Sequence, residues 1–166
     1  MKILEIGKVE LASLCYLNKE RYPFLLESVN HNDNNRYSIL FAFPSESIVL
    51  NSLSDFDFLN ELESQYKSSN LNSNLPFSGG WFVYLSYELI GQIEPILSRE
   101  LHTSELPIAY AVKIPSAIII DYQSNTTYLV DQDGDQSRID TILIDIELIK
   151  PIPEDNILGK LSQENE

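Results

Sequence analysis

Short runs of alternating apolar and polar residues dominate the chain, and this period of two predicts β-strands rather than long helices. The predicted strands span residues 2–9, 24–29, 36–43, 47–50, 81–85, 108–114, 117–122 and 126–130. They show no regular alternation of one strand with one helix, which a parallel sheet would require. The pattern therefore predicts the α+β class, as a mainly antiparallel β-sheet with flanking helices.

Three amphipathic segments predict the flanking helices. The first begins near Leu11 and turns Cys15 toward the core. The second opens at Ser54, a suitable N-cap, with Asp57 at the capping-box position. The third follows an acidic turn at 131–135, where carboxylates suit a helix N-terminus. Its apolar stripe consists of Ile139, Ile142, Leu143 and Ile146.

The segment 75–97, LPFSGGWFVYLSYELIGQIEPIL, joins a turn, a strand and a short helix in one continuous run. Gly79 and Gly80 supply the turn, because glycine tolerates backbone conformations that bulkier residues do not. Every residue from 81 to 85 is apolar or aromatic, which predicts a strand covered on both faces. Polar atoms resume at Ser86, and Pro95 must end the helix that follows.

The residues 76–80 (PFSGG) and 84–89 (YLSYEL) resemble the N-terminal region of component I of anthranilate synthase and aminodeoxychorismate synthase. Those enzymes aminate chorismate. The Gly79-Gly80-Trp81 opening and the ending 93–95 (IEP) are more similar to the aminodeoxychorismate, or para-aminobenzoate, branch. Ser86 stands where these proteins commonly carry glycine. The resemblance implies a component I-like N-terminal domain over 1–150 and a linker over 151–166 toward a chorismate-binding region.

The strand ending in Leu25, Leu26, Glu27 and Ser28 admits two interpretations. Taken alone, a carboxylate and a hydroxyl at the end of an apolar strand indicate a surface edge. The resemblance implies a ligand site, because Leu-Leu-Glu-Ser is similar to a motif that forms part of the tryptophan site in the anthranilate synthase group. An acid can pair with an ammonium, and a hydroxyl can serve either an ammonium or a carboxylate.

The other wall of the same pocket is implied to consist of Asn34, Asn35, Arg36 and Tyr37. The short separation of the two strands predicts that they are hairpin neighbours. Tyr37 could then stack on an indole, and Arg36 could hold a carboxylate. Without the resemblance, Arg36 is a solvated edge charge and Tyr37 a core residue.

The charge and composition of the chain exclude some classes of binding partner. The chain has 25 acidic and 11 basic residues, a formal net charge of −14, which argues against nucleic acid and anionic membrane surfaces. Cys15 is the single cysteine, so no intrachain disulfide can form. No signal peptide or long uncharged apolar run is evident, and a soluble, cytoplasmic protein is expected.

Catalytic and cofactor-binding motifs are missing from the sequence. There is no glycine-rich phosphate cradle and no plausible triad. The turn Asp131 to Asp135 fails as a calcium loop, because Gly134 is its fourth residue and Ile142 its twelfth. No catalytic residue, metal site or cofactor is predicted in this chain. The resemblance implies instead that chorismate and magnesium bind the C-terminal region of the parent enzyme.

The expected function is therefore that of a non-catalytic domain, with a tryptophan-site or structural role, in aminodeoxychorismate synthase component I. The parent enzyme would convert chorismate to 4-amino-4-deoxychorismate for para-aminobenzoate and folate biosynthesis, with ammonia from a glutamine amidotransferase subunit. One alternative is the same domain of anthranilate synthase component I, in tryptophan biosynthesis. Another is a free-standing amino-acid-binding or interaction module without catalysis. A domain cut from an enzyme should expose a large apolar face meant for the missing region.

Overall fold

In the residues that the structure describes, eight strands form two antiparallel sheets, and four helices flank them. The computed structural model describes residues 1–28, 36–66, 73–94, 96 and 106–149. The strands are β1 Lys2–Ile6, β2 Phe24–Leu26, β3 Tyr37–Ala42, β4 Ser47–Leu50, β5 Gly80–Leu85, β6 Ala109–Ile114, β7 Ser116–Asp121 and β8 Thr126–Asp131. The helices are α1 Leu11–Leu17, α2 Phe58–Gln65, α3 Ile90–Ile93, which a 3₁₀ turn at Tyr87–Leu89 precedes, and α4 Gln136–Leu148.

The larger sheet has five strands in the order β1-β8-β7-β3-β2, and the smaller has three in the order β4-β6-β5. All neighbouring strands are antiparallel. The chain changes sheet at Pro115, which separates β6 from β7, because proline cannot donate the hydrogen bond that a continuing strand would need. The predicted α+β class with a mainly antiparallel sheet is confirmed.

Alternation along each strand gives the five-stranded sheet two apolar faces. One face, with Leu40, Ile118 and Leu129, packs on α1 and α4 through Leu14 and Ile142. The second face carries a different set of buried and half-buried apolar residues, Phe24, Ile39, Phe41, Ala117, Ile119 and Val130. Part of this second face meets the three-stranded sheet, so the two sheets pack face to face.

The outer face of the three-stranded sheet is covered by α2 and the 3₁₀ turn. Ala109 and Ala111 on β6 are fully buried there, against Phe58 of α2 and Leu89 of the turn. Their small side chains allow the helical layer to lie close to the strand. The layers thus run from α1 and α4, through the larger and then the smaller sheet, to α2.

Two of the helices, α2 and α4, begin at a residue whose side chain caps the helix. For α2 the cap is Asp57, whose carboxylate accepts a hydrogen bond from the Asn60 N–H at 3.1 Å, so the prediction of Ser54 as the cap was wrong. Phe58, directly after the cap, is fully buried, which fixes where this helix meets the sheet. For α4 the cap is Asp135, as an acidic residue before a helix predicts.

The turn before β5 requires glycine. Gly79 has φ +105°, and a Cβ placed on it would lie 2.5 Å from the Cβ of Gln132 at the end of β8. Gln132 is itself held by its N–H, which donates to the carbonyl of Pro115 at 2.8 Å. The predicted glycine turn is therefore confirmed, and close backbone approach is its physical reason.

The prediction that residues 81–85 form a strand covered on both faces was wrong. β5 is the last strand of the three-stranded sheet, and its residues Val83, Tyr84 and Leu85 are exposed. An unbroken apolar run is typical of a buried strand, but here the first half is half-buried and the second half is exposed. Within the described ranges, no helix has the length and apolar character needed to cross a membrane. The proposed linker 151–166 lies outside those ranges, and the domain boundary at 150 stays a prediction.

Candidate functional site

The antiparallel pairing of β2 with β3 brings the two predicted walls of the site together. Phe24 lies opposite Phe41 and Leu26 opposite Ile39, so the pairing leads from β2 toward Ser28 on one side and Tyr37 on the other. The hydroxyl of Ser28 donates to the backbone carbonyl of Tyr37 at 2.7 Å. That hydroxyl proton is therefore used within the fold, and the oxygen lone pairs remain the groups that could accept from a ligand.

Ser38 and Tyr122 extend this hydrogen-bonded group, and neither was among the predicted site residues. The N–H of Ser28 donates to the hydroxyl of the fully buried Ser38 at 3.0 Å. The same oxygen lies 2.9 Å from the phenol oxygen of Tyr122. The end of β2 is thus fixed by contacts with side chains on β3 and just after β7, which holds the Ser28 backbone in one position.

Arg36 is paired with a buried carboxylate. Its Nε donates to Asp121 at 2.8 Å and its Nη2 to the second carboxylate oxygen at 2.6 Å. The hydrogen bonds from Arg36 outweigh the effect of burial and hold the pKa of Asp121 well below its usual range. The carboxylate is therefore ionised at neutral pH, and the pair as a whole carries no net charge.

Arg36 also lies over the ring of Tyr37, with the guanidinium carbon 4.7 Å from the ring centroid. One face of Tyr37 is thereby covered by a cation, and the ring packs against the buried Ala117 and Ile119 cluster. Because Nε and Nη2 contact Asp121, Nη1 is the nitrogen of Arg36 through which a ligand carboxylate could be bound. The arrangement can hold an anion beside an aromatic edge.

Not all predicted site residues come together. Glu27 is exposed, and the alternation of the strand turns its side chain to the sheet face on which Cys15 packs. The pKa of the Cys15 thiol is raised, first by its burial and then by the nearby charge of Glu27. Asn34 and Asn35 lie outside the described residues. The carboxylate beside Arg36 is instead Asp121, which ends the apolar run of β7. A single acid at the end of a β-branched run was the sequence signal that could have identified it.

Aromatic side chains line the space between the sheets beside this group. Phe24, on the same face of β2 as Ser28, stacks on Phe82 of β5 with ring centroids 4.0 Å apart. Phe82 also meets Phe41 edge-on at 5.5 Å, and Tyr110 lies 6.3 Å from Phe24. Burial raises the pKa of Tyr110. Leu26, between Phe24 and Ser28, is exposed, so this aromatic wall opens to solvent at the end of β2.

The acidic turn before α4 is occupied by an arginine. Arg138 donates to Asp131 at 2.7 Å and to Asp133 at 2.8 Å. Burial raises the pKa of Asp131, but hydrogen bonds from Arg138, Ser116 and the Asp135 backbone outweigh it and lower that pKa to about 2. In the part of the chain that the structure describes, no three His, Cys, Asp or Glu residues are grouped as metal ligands would be.

Two curated proteins and a solved structure that resemble this chain are all described as anthranilate synthase component I or as similar to it. No family model matches the chain. The anthranilate synthase component I-like protein of Synechocystis sp. is 28% identical over 117 residues, which are 67% of this chain and 24% of that protein. Anthranilate synthase component 1 of Lactococcus lactis subsp. lactis is 25% identical over 152 residues, which are 82% of this chain and 33% of that protein.

The crystal structure of anthranilate synthase component I from Streptococcus pneumoniae has the same fold over most of this chain. The TM-score is 0.60 at 21% identity, and the match covers 91% of this chain and 38% of that one. This chain spans about a quarter to a third of the length of the curated relatives it matches. Its sequence and fold are thus similar to those of a segment that makes up less than half of anthranilate synthase component I proteins.

Proposed function

We propose that this chain is the non-catalytic N-terminal domain of component I of a chorismate-aminating synthase. The observation that carries the proposal is the structural match, which takes in nearly all of this chain but only 38% of the Streptococcus pneumoniae protein. Such a proportion is expected of one domain of a larger enzyme. The motifs 76–80 and 84–89 lie in the turn, β5 and the 3₁₀ turn of this domain.

Within the parent enzyme, the C-terminal region of the same polypeptide binds chorismate and magnesium, and a glutamine amidotransferase subunit delivers ammonia. This chain contributes neither catalytic residue nor cofactor ligand. Its exposed apolar residues on β5 support the proposal, because a domain separated from its neighbour exposes the surface that the neighbour would cover. The acidic chain, with a net charge of −14, acts in the cytoplasm without nucleic acid or membrane.

The site at the open end of β2 and β3 takes L-tryptophan or a similar aromatic amino acid. The lone pairs of the Ser28 hydroxyl accept from the ligand ammonium, and Nη1 of Arg36 donates to its carboxylate. The apolar wall at Phe24 and the edge of Tyr37 lie beside these groups and suit an aromatic side chain. Glu27, Asn34 and Asn35 are the further proposed contacts from the resemblance.

Aminodeoxychorismate synthase is the first choice of branch, because Gly79-Gly80-Trp81 and the IEP run at 93–95 are more similar to it. Anthranilate synthase is the second candidate, because the relatives named above belong to that group. The product decides between them. The native polypeptide that carries this chain, captured with an antibody against it, is incubated with chorismate, magnesium and glutamine, and the products are separated by chromatography.

We expect 4-amino-4-deoxychorismate as the product. Anthranilate would establish the second candidate. A captured polypeptide of 19.0 kDa that consumes no chorismate, alone or with its associated proteins, would overturn both and leave the free-standing amino-acid-binding module.

A further inference from the structure

β5 is an edge strand without the features that usually protect such an edge. Its sequence, GWFVYL, contains no charge and no proline. The opposite edge, β4, also lacks charge and proline, but Val49 is its one exposed apolar residue, whereas β5 exposes three apolar residues in a row, Val83, Tyr84 and Leu85. Exposed edges that are long and apolar pair readily with further strands, so natural proteins normally protect them with charges or proline. The composition of β5 therefore indicates an edge that is meant to be paired.

The backbone of β5 has hydrogen-bonding groups available on that edge. The Ser86 N–H donates to the Ile108 carbonyl at 2.9 Å, which identifies the even-numbered residues as those bonded to β6. Because antiparallel pairs alternate, the N–H and C=O groups of Trp81, Val83 and Leu85 point away from β6. Among the described residues, no strand pairs with this side of β5.

Both faces of β5 are uncovered at the same end. Val83 and Leu85 lie on the face toward α2, and Tyr84 lies on the face toward the larger sheet, yet all three are exposed. The exposed apolar residues Tyr87 and Ile93 lie within the eight residues that follow β5 in the chain. An added strand with apolar residues on both faces would extend the three-stranded sheet. Its side chains would also extend the apolar contacts on the face toward α2 and on the face toward the larger sheet.

A second copy of this chain is a poor occupant for the edge. Two chains with a net charge of −14 repel each other, and Glu94 follows closely after the exposed end of β5. A strand from a further region of the same polypeptide would not bring a second chain of this charge to the edge. The relatives have such a further region, because more than half of the matched anthranilate synthase component I lies beyond the part that this chain covers.

We infer that the free edge of β5 is the docking edge for a β-strand of the chorismate-utilising region, which extends the three-stranded sheet through backbone hydrogen bonds to Trp81, Val83 and Leu85. This inference rests on the proposed function, which names the region. It adds the surface and the mode of contact, namely strand addition. Alternate side chains of the added strand would contact Tyr84 on one face and Val83 on the other.

Photo-crosslinking in the source cells tests the edge, and the sheet offers a matched control. Val83 on β5 is 40% exposed and Val49 on β4, the opposite edge of the same sheet, is 39% exposed. Each is replaced in turn by p-benzoylphenylalanine in the native polypeptide. After irradiation, the crosslinked peptides are identified by mass spectrometry. We expect crosslinks from position 83 to a segment of the chorismate-utilising region, at least tenfold more than from position 49.

Three results would overturn the docking edge: crosslinks from position 83 to another copy of this chain, equal yields at the two positions, or no crosslink at position 83. The antibody capture described above keeps the two proposals apart. If the captured material aminates chorismate while position 83 fails to crosslink, only the docking edge is lost. If no chorismate-utilising region is captured, the proposed function fails, and this inference fails with it.

A second pair of variants tests the strand contact without a photoreactive group. Val83→Lys places a charge at the docking edge, whereas Val49→Lys places the same charge at an equally exposed valine. We expect Val83→Lys to reduce chorismate amination at least tenfold and Val49→Lys to leave it unchanged, while both variants unfold at the temperature of the starting protein. Equal effects of the two lysines on amination would contradict the assignment of β5.

Discussion

Two arginine-aspartate pairs occupy corresponding places in the five-stranded sheet but differ in how far each arginine is enclosed. Asp121 ends β7 and Asp131 ends the neighbouring β8, and both carboxylates are buried. Asp121 accepts two hydrogen bonds from Arg36, and Asp131 accepts two from Arg138. Asp131 is directed toward α4, whereas Asp121 lies on the face that carries Tyr37.

Arg138 is enclosed by acidic partners and Arg36 is open to solvent. The Arg138 side chain is 22% exposed and contacts Asp133 as well as Asp131. The Arg36 side chain is 42% exposed. An enclosed network can stabilise only the fold, whereas an open pair beside an aromatic edge can also meet a ligand. The comparison therefore assigns a structural role to Asp131 and leaves Arg36 as the candidate for binding.

Asp131→Asn should produce the largest loss of stability. The substitution weakens hydrogen bonds from Arg138 and Ser116 and leaves the partly buried Arg138 without its main counter-charge. Breaking one side of a buried ion pair typically costs about 3–5 kcal/mol. We expect the free energy of unfolding, measured by urea denaturation with circular dichroism, to fall by about 3 kcal/mol. A fall below about 1 kcal/mol would show that this network does not hold α4 on the sheet.

Acid should act on the same network. The pKa of Asp131 is lowered from 3.8 to about 2 in the folded protein, so the folded state binds its proton less readily than the unfolded state. The stability from this group is complete above the unfolded pKa and is lost as pH falls through the folded pKa. We expect the free energy of unfolding to fall by about 2 kcal/mol through Asp131 alone between pH 5 and pH 2.

The acid titration has an internal control in Asp131→Asn, whose side chain no longer titrates. Asp121, with its own lowered pKa, keeps part of the acid sensitivity in that variant. The slope of unfolding free energy against pH should therefore become shallower without vanishing. An unchanged slope in Asp131→Asn would mean that other carboxylates determine the acid sensitivity.

Asp121→Asn should cost less than Asp131→Asn, although the two aspartates lie in similar places. Water can solvate the half-exposed Arg36 when its partner loses charge, and solvent screening reduces the value of such a pair. We expect a loss of about 1 kcal/mol in the urea experiment. The same substitution removes a negative charge beside Arg36, so titration calorimetry should detect tighter binding of L-tryptophan. Weaker binding would place Asp121, rather than Arg36, in contact with the ligand.

The strands and the hairpin pairings of consecutive strands were largely predictable, because alternation and short turns act locally. The hairpin of β2 and β3 and the glycine turn before β5 follow from residues close together in the chain. Exposure of Val83 did not follow, because an apolar run looks the same whether neighbouring layers cover it or end beside it. A position at the end of a sheet is a property of strand order, which local patterns do not contain.

The candidate site was predictable only in part, for a related reason. The contact between Ser28 and Tyr37 followed from the expected hairpin. The pairing of Arg36 with Asp121 joins residues 85 positions apart, and the contact of Ser38 with Tyr122 spans 84 positions. Such pairs depend on which strands become neighbours in the folded sheet. Sequence periodicity indicates the face of each side chain and not its partner across the fold.

Ser28→Ala should have an effect on ligand binding rather than a large effect on stability, and it gives the most direct test of the open site. The hydroxyl contributes one hydrogen bond to the proposed ligand, worth about 1 kcal/mol, so L-tryptophan should bind about fivefold more weakly in titration calorimetry. Ser45→Ala is the matched control, because the Ser45 hydroxyl also donates to a backbone carbonyl, that of Lys113, but lies beside β4. Unchanged binding in Ser28→Ala would remove Ser28 from the site. Equal weakening in both variants would point to a general loss of structure, since only Ser28 lies beside the open Arg36 pair.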